Sequence, residues 1–178
     1  VVAGVTTSFT SQSDATLMKI DALGNVAWQL AYDDLDAGIV AVPVDDGYYL
    51  LAGENTDSEF LVPPFLPESI RFAVDPPAYV PRLDANGLPL WAIAVASSEL
   101  SLDAVGLARL PDGTVVIAGT MGDPPDSQDV WLARLDETGE LLWARRIAEP
   151  GTQETQSLIV DSTGDIVLLA SAGASCYF

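Results

Sequence analysis

The chain of 178 residues contains no histidine. That absence removes the commonest general base of enzymes and the commonest nitrogen ligand for zinc and copper. It contains one cysteine, Cys176. No disulfide can therefore close within the chain, and the thiol is either free and partly buried or a link to another chain. Cations are scarce: Lys and Arg total 7 against 26 Asp and Glu, a formal net charge of −19, and Lys19 is the sole lysine. A field of that sign repels nucleic acid and anionic lipid, which excludes both as partners. It favours a well-solvated surface and suits a salty or extracellular setting. No apolar run approaches the roughly 20 residues needed to span a bilayer. No long segment carries the 3.6-residue period of a helix. There is no Gly-x-Ser-x-Gly nucleophile elbow and no glycine-rich phosphate loop after a strand. The chain does not begin with methionine, and no signal peptide is visible.

What is present is a core-forming fraction of 49% hydrophobic residues, distributed in short runs. Those runs repeat. Three segments share the pattern Asp-x-x-Gly-x-x-x-Trp: Asp21 to Trp28, Asp84 to Trp91 and Asp136 to Trp143. A second pattern is an apolar run closing on Ala-Gly, at Val1–Gly4, Tyr48–Gly53 and Thr114–Gly119, with a weaker copy at Asp165–Ala170. Three of these runs follow a turn: Asp45-Asp46-Gly47, Pro111-Asp112-Gly113 and Asp161-Ser162-Thr163-Gly164. Internal similarity at this period marks a repeat architecture.

The turn residues explain the pattern. Proline presets φ for the first central position of a type I turn. Aspartate accepts backbone N–H bonds, and glycine takes the positive φ that closes a hairpin on a bulge. Gly24, Gly87 and Gly139 hold that position in the Asp-x-x-Gly turns. Each unit thus reads as two hairpins, strands A–B and C–D. In the third unit the expected strands are 104–110, 114–121, 129–135 and 140–148. Strand B is apolar on both faces, as an inner strand between layers should be. Strand C alternates, with Trp131, Ala133 and Leu135 on one face.

Successive repeat tryptophans are about 50 to 60 residues apart, the range of propeller blades. The wider interval contains an insert, 54–77, with Pro63-Pro64, Pro67 and Pro76-Pro77, which reads as an irregular loop. The strands run B-C-D, A-B-C-D, A-B-C-D and A-B. The expected fold is therefore all-β, with tandem four-stranded antiparallel blades. Residues 1–178 are read as a partial β-propeller of about three blades with incomplete units at both ends. A closed ring needs at least four blades, so the chain is expected to be part of a longer protein or to be completed by other copies.

The repeat at Asp136–Trp143 is similar to the tryptophan-docking repeat of quinoprotein-like (PQQ-like) propellers. The run Gly47–Gly53, combined with the Asp-x-x-Gly-x-x-x-Trp ending, resembles repeats of secreted bacterial surface propellers. The first resemblance implies that Trp28, Trp91 and Trp143 lock one blade to the next. It also implies a calcium site and a cofactor pocket at a ring centre, for which no residues can be assigned. The vicinal cysteine pair of that family is absent, which argues against a dehydrogenase.

Other candidate sites are weighed against plainer roles. Asp123, Asp126 and Asp129 could form a calcium loop, but the spacing is not that of an EF-hand and Pro124-Pro125 interrupts it, so a solvated turn takes precedence. No other cofactor is expected. Asp33, Asp34 and Asp36 read as a solvated linker. Two carboxylates could serve a glycosidase, yet spacing selects no pair among so many acids. Arg145-Arg146 reads as an ordinary surface ion-pairing site.

The leading expectation is a non-enzymatic interaction or structural scaffold, secreted or on the cell surface. Its contact surface would be the insert, with Phe60, Phe65 and Phe72 binding a protein partner or mediating self-association. A quinoprotein-like or glycoside-processing enzyme, and a self-assembling extracellular structural protein, are the alternatives.

Overall fold

The computed structural model describes residues 2–7, 13–32, 38–53, 78–95, 102–122 and 128–173. These residues are all-β, and the strands divide between two compact units, Val1–Ala96 and Ser97–Phe178. The first unit holds β1 (Val2–Thr7), β2 (Ser13–Ile20), β3 (Val26–Tyr32), β4 (Gly38–Val44), β5 (Gly47–Gly53), β6 (Ala78–Asp84) and β7 (Pro89–Val95). The second holds β8 (Leu102–Arg109), β9 (Val115–Met121), β10 (Asp129–Leu135), β11 (Leu141–Ile147), β12 (Thr152–Val160) and β13 (Ile166–Gly173).

Every sheet is an antiparallel meander in chain order. The first unit has a three-stranded sheet, β1-β2-β3, and a four-stranded sheet, β4-β5-β6-β7. The second has a four-stranded sheet, β8-β9-β10-β11, and the hairpin β12-β13. Within each unit one sheet lies against the next. In the second unit the core is built from Leu110, Val116, Ala118 and Leu132 on one side and Leu158 on the other, with Ala108, Trp143, Val160, Ile166 and Leu168 packed around them.

The hairpins close as the turn chemistry requires. In the Asp21, Asp84, Asp136 and Asp161 turns, the carboxylate accepts from the backbone N–H groups two and four residues on. The glycine at the third position adopts φ of 89°, 84°, 87° and 90° respectively. A side chain with a Cβ is strained there.

Two features repeat that spacing alone does not reveal. Each C–D hairpin carries a bulge just before its tryptophan, so that Trp28 stands opposite Lys19, Trp91 opposite Arg82 and Trp143 opposite Arg134. Each A–B hairpin carries a bulge in strand A, at Ile39, Val105 and Gln156, at one fixed spacing from Gly47, Gly113 and Gly164. A bulge bends its strand and increases local twist.

The structure modifies two sequence readings. Gly47 lacks the positive φ found at Gly113 and Gly164, because Val44 pairs directly with Gly47 across the two-residue turn Asp45-Asp46. Strand β5 is consequently offset by one: Gly53 pairs with Ala78, whereas Gly119 pairs with Trp131. Strand β10 is buried on both faces rather than alternating, with Val130 and Leu132 as inaccessible as Trp131 and Ala133.

Candidate functional site

The repeated tryptophan and its surroundings form the most organised side-chain assembly among the described residues. In the first unit, Trp28 on β3 meets Tyr48 on β5 edge to face, with ring centroids 5.9 Å apart. The geometry matches the preferred arrangement of aromatic quadrupoles. The same indole lies beneath the β6–β7 turn, where a Cβ on Gly87 would approach it to 3.2 Å. In the second unit, Trp143 on β11 packs into the cluster shared with β12 and β13. Trp91 packs within its own sheet on Tyr49, at 5.7 Å. Gly24, Gly87 and Gly139 occupy the turn positions described above.

The cation opposite the tryptophan has a partner of its own. Arg82 reaches back to Asp46 in the β4–β5 turn, donates to the carbonyls of Tyr48 and Leu83, and stacks 5.2 Å from the Tyr49 ring. Arg134 reaches Asp112 in the β8–β9 turn, and its Nε donates to Thr114 Oγ1 at 2.9 Å. Both latches tie strand C to the A–B turn of the same sheet. The sequence signal was available in Lys19-Ile20-Asp21, Arg82-Leu83-Asp84 and Arg134-Leu135-Asp136, a cation two residues before each turn aspartate.

A second link joins consecutive sheets. The Thr155 hydroxyl donates to the Gly119 carbonyl at 2.6 Å, and the Thr155 N–H donates to Thr120 Oγ1 at 3.0 Å. Gly119 is needed there, since a Cβ would collide with the Asp103 carbonyl and come 2.7 Å from the Trp131 indole nitrogen. That nitrogen donates to Thr120 O at 3.1 Å.

The carboxylates with shifted titration belong to this framework. Asp112, Asp136 and Asp161 are held below the ordinary 3.8 chiefly by the hydroxyls of Thr114, Thr138 and Thr163. Asp21 is lowered chiefly by the Asn25 side chain, and Asp84 by the Leu88 N–H. Asp103 alone moves up, through partial shielding by the sheet. Each lowered group is committed to closing a turn.

Of the calcium-loop residues, Asp129 is described: it is buried on β10 and ion-paired to Arg146 on β11, whose Nε donates at 2.6 Å. Asp123 and Asp126 lie outside the described residues. Among the described residues, no group of three or more acidic or thiol side chains converges to hold a metal ion. Arg145 stacks over the Trp143 ring at 5.8 Å and donates to the Ala144 carbonyl. Phe60, Phe65 and Phe72, the acidic trio Asp33, Asp34 and Asp36, and Cys176 also lie outside the described residues. No described helix is long and apolar enough to cross a membrane.

Large apolar side chains are exposed on the β12–β13 hairpin. Ile159, Val167 and Leu169 are 57%, 47% and 63% exposed. Ile159 and Val167 are direct cross-strand partners, so they share one face of the β12–β13 hairpin. The chain matches no protein-family model and no curated protein.

Proposed function

We propose that this chain is a run of β-propeller blades serving as a non-enzymatic interaction scaffold, secreted or displayed on a cell surface. The observation that carries the reading is the recurrence of one stacking device. Trp28 leaves its sheet to pack on Tyr48 of the following sheet, and Trp143 packs against the core cluster to which the following hairpin contributes Leu158. Chain-ordered antiparallel sheets joined face to face in this way are the construction of propellers. The five aspartates with lowered titration serve turn closure, which supports a structural role for them.

The segment 54–77, carrying Phe60, Phe65 and Phe72, is the proposed contact surface for a protein partner. Deleting 60–77 is expected to preserve the far-ultraviolet circular dichroism spectrum and the unfolding midpoint while abolishing partner binding. Retained binding would refute the contact role. The scaffold reading itself fails if the intact protein turns over a glycoside panel, or an alcohol in the presence of calcium and pyrroloquinoline quinone.

A further inference from the structure

The chain has three asparagines, Asn25, Asn55 and Asn86, and only Asn86 precedes a glycine. An asparagine carboxamide is open to attack by the backbone nitrogen of the residue that follows it. A β-branched neighbour crowds that nitrogen, and Val26 and Thr56 follow the other two asparagines. Gly87 has no side chain to interfere. In the turns begun by Asp21, Asp136 and Asp161, the place of Asn86 is taken by Leu23, Thr138 and Thr163, none of which has a carboxamide. Asp46-Gly47 and Asp112-Gly113 offer carboxylates instead, ion-paired to Arg82 and Arg134, and a carboxylate is a poor electrophile.

The fold treats the two reacting groups differently. Asn86 is exposed, whereas Gly87 is buried beneath the preceding sheet. The Gly87 N–H donates to the Asp84 carbonyl at 3.0 Å. The Asn86 N–H donates to Asp84 Oδ1 at 2.8 Å, and the Asn86 side chain bonds to the same carboxylate. A Cβ on Gly87 would come 2.7 Å from Leu30 Cδ1 and 3.2 Å from the Trp28 ring, both on β3. To close a five-membered ring, the carboxamide must leave Asp84 and swing over the Gly87 nitrogen, and the backbone between the two residues must rotate. With Trp28 and Leu30 seated, Gly87 has no room for that rotation.

We propose that Asn86-Gly87 is a self-modification site gated by the Trp28 and Leu30 side chains that cover it. When the cover lifts, a base takes the Gly87 N–H proton and the nitrogen bonds to Asn86 Cγ. The Cγ–Nδ2 bond breaks, ammonia leaves with a proton from water, and a succinimide remains. Water then opens one of the two carbonyl C–N bonds of the imide ring, leaving aspartate or isoaspartate at position 86. Either product adds a negative charge beside Asp84. Isoaspartate also lengthens the backbone by one carbon, in a turn whose glycine already touches β3. Trp28 then cannot reseat on the turn as before. A transient opening between the two sheets thus leaves a permanent covalent mark. The inference is independent of the scaffold reading.

The test is peptide mapping of the intact chain over time in mildly alkaline buffer made with heavy-oxygen water, resolving asparagine, aspartate and isoaspartate at position 86. Wild type, Trp28→Ala and Leu30→Ala are compared, each in native buffer and in guanidinium chloride. Leu30→Ala is the smaller truncation and carries the test if Trp28→Ala loses its circular dichroism spectrum. In denaturant all three proteins should convert at Asn86 at one rate, ahead of Asn25 and Asn55, with one heavy oxygen incorporated. In native buffer the wild type should convert at least tenfold more slowly, as for a site that reacts only from a locally opened state. A folded variant with a truncated cover should convert at least threefold faster than native wild type, because its opening costs less. Native wild type converting as fast as the denatured chain overturns the gate, as do folded variants no faster than wild type. Conversion of Asn25 or Asn55 ahead of Asn86 in denaturant overturns the site.

Discussion

Gly119 is held by contact rather than by φ. The Asp103 carbonyl and the Trp131 indole occupy the space its Cβ would need, and its own carbonyl receives the Thr155 hydroxyl. Gly119→Ala is therefore expected to cost about 1 to 3 kcal/mol, the range for overpacking a dense site, measured by urea denaturation. The two arginine latches should differ. Arg82 has a side chain only 9% exposed, whereas that of Arg134 is 23% exposed. Arg82→Ala removes a buried stem, two carbonyl contacts and the Asp46 pair, at about 2 to 3 kcal/mol. The loss stays below that of a broken buried pair because Asp46 is left in water. Arg134→Ala is expected to cost about 1 kcal/mol or less, as for a largely solvated pair. Comparable losses at both sites would contradict the burial argument.

At the scale of elements, the turns should make stability depend on acid in a defined direction. Five aspartates have native values below the ordinary 3.8: Asp21, Asp84, Asp112, Asp136 and Asp161. A carboxylate whose native value is depressed contributes stability above the unfolded value and loses it as pH falls through the native one. The expected urea midpoint is therefore flat at neutral pH and falls below pH 3.8. Asp103, raised by shielding, acts in the opposite sense: its contribution is present below 3.8 and is lost as pH rises through the raised value. Asp136→Asn keeps an acceptor oxygen without a titrating proton. It should reduce the acid slope by one turn's share, and an unchanged slope would exclude that turn as a contributor. Trp143→Ala should cost about 2 to 3 kcal/mol, below the range for a fully buried tryptophan because the ring is half-buried.

These elements were legible in the sequence to the extent that local chemistry specifies them. Asp-x-x-Gly fixes a hairpin wherever it stands, because the aspartate and glycine satisfy its hydrogen bonds and its φ without help from the rest of the fold. Strand β10 reads as alternating because its second face, Val130, Leu132 and Arg134, ends on a charge, whereas the structure buries Val130 and Leu132 and draws Arg134 over to Asp112. The one-residue offset of β5 was hidden because Asp45-Asp46-Gly47 resembles Pro111-Asp112-Gly113 in composition but closes a shorter turn. The hydrogen bonds of Thr155 to Gly119 and Thr120 left no local signature, since the partners are far apart in the chain.

For the whole molecule, protection should follow layer position. Strands β9 and β10 are buried along almost their entire length, while β11 and β13 are exposed along most of theirs. Amide hydrogen exchange should be slowest in 115–121 and 129–135 and fastest in 166–173, in keeping with the link between burial and local opening free energy. Equal protection in β9 and β13 would contradict the layer order.

The connection between the second and third strands of the two four-stranded sheets differs greatly in length. Between β9 and β10 it spans 122–128, and between β5 and β6 it spans 54–77, yet both pairs form antiparallel ladders. Loop-closure entropy rises only with the logarithm of length, so the longer excursion costs about 1 kcal/mol more than the shorter one. The architecture is consequently open to enlargement at this point. A foreign peptide or small domain grafted between Gly53 and Ala78 should leave the β5–β6 ladder in place, and natural variation in length could accumulate there at little cost to the sheet.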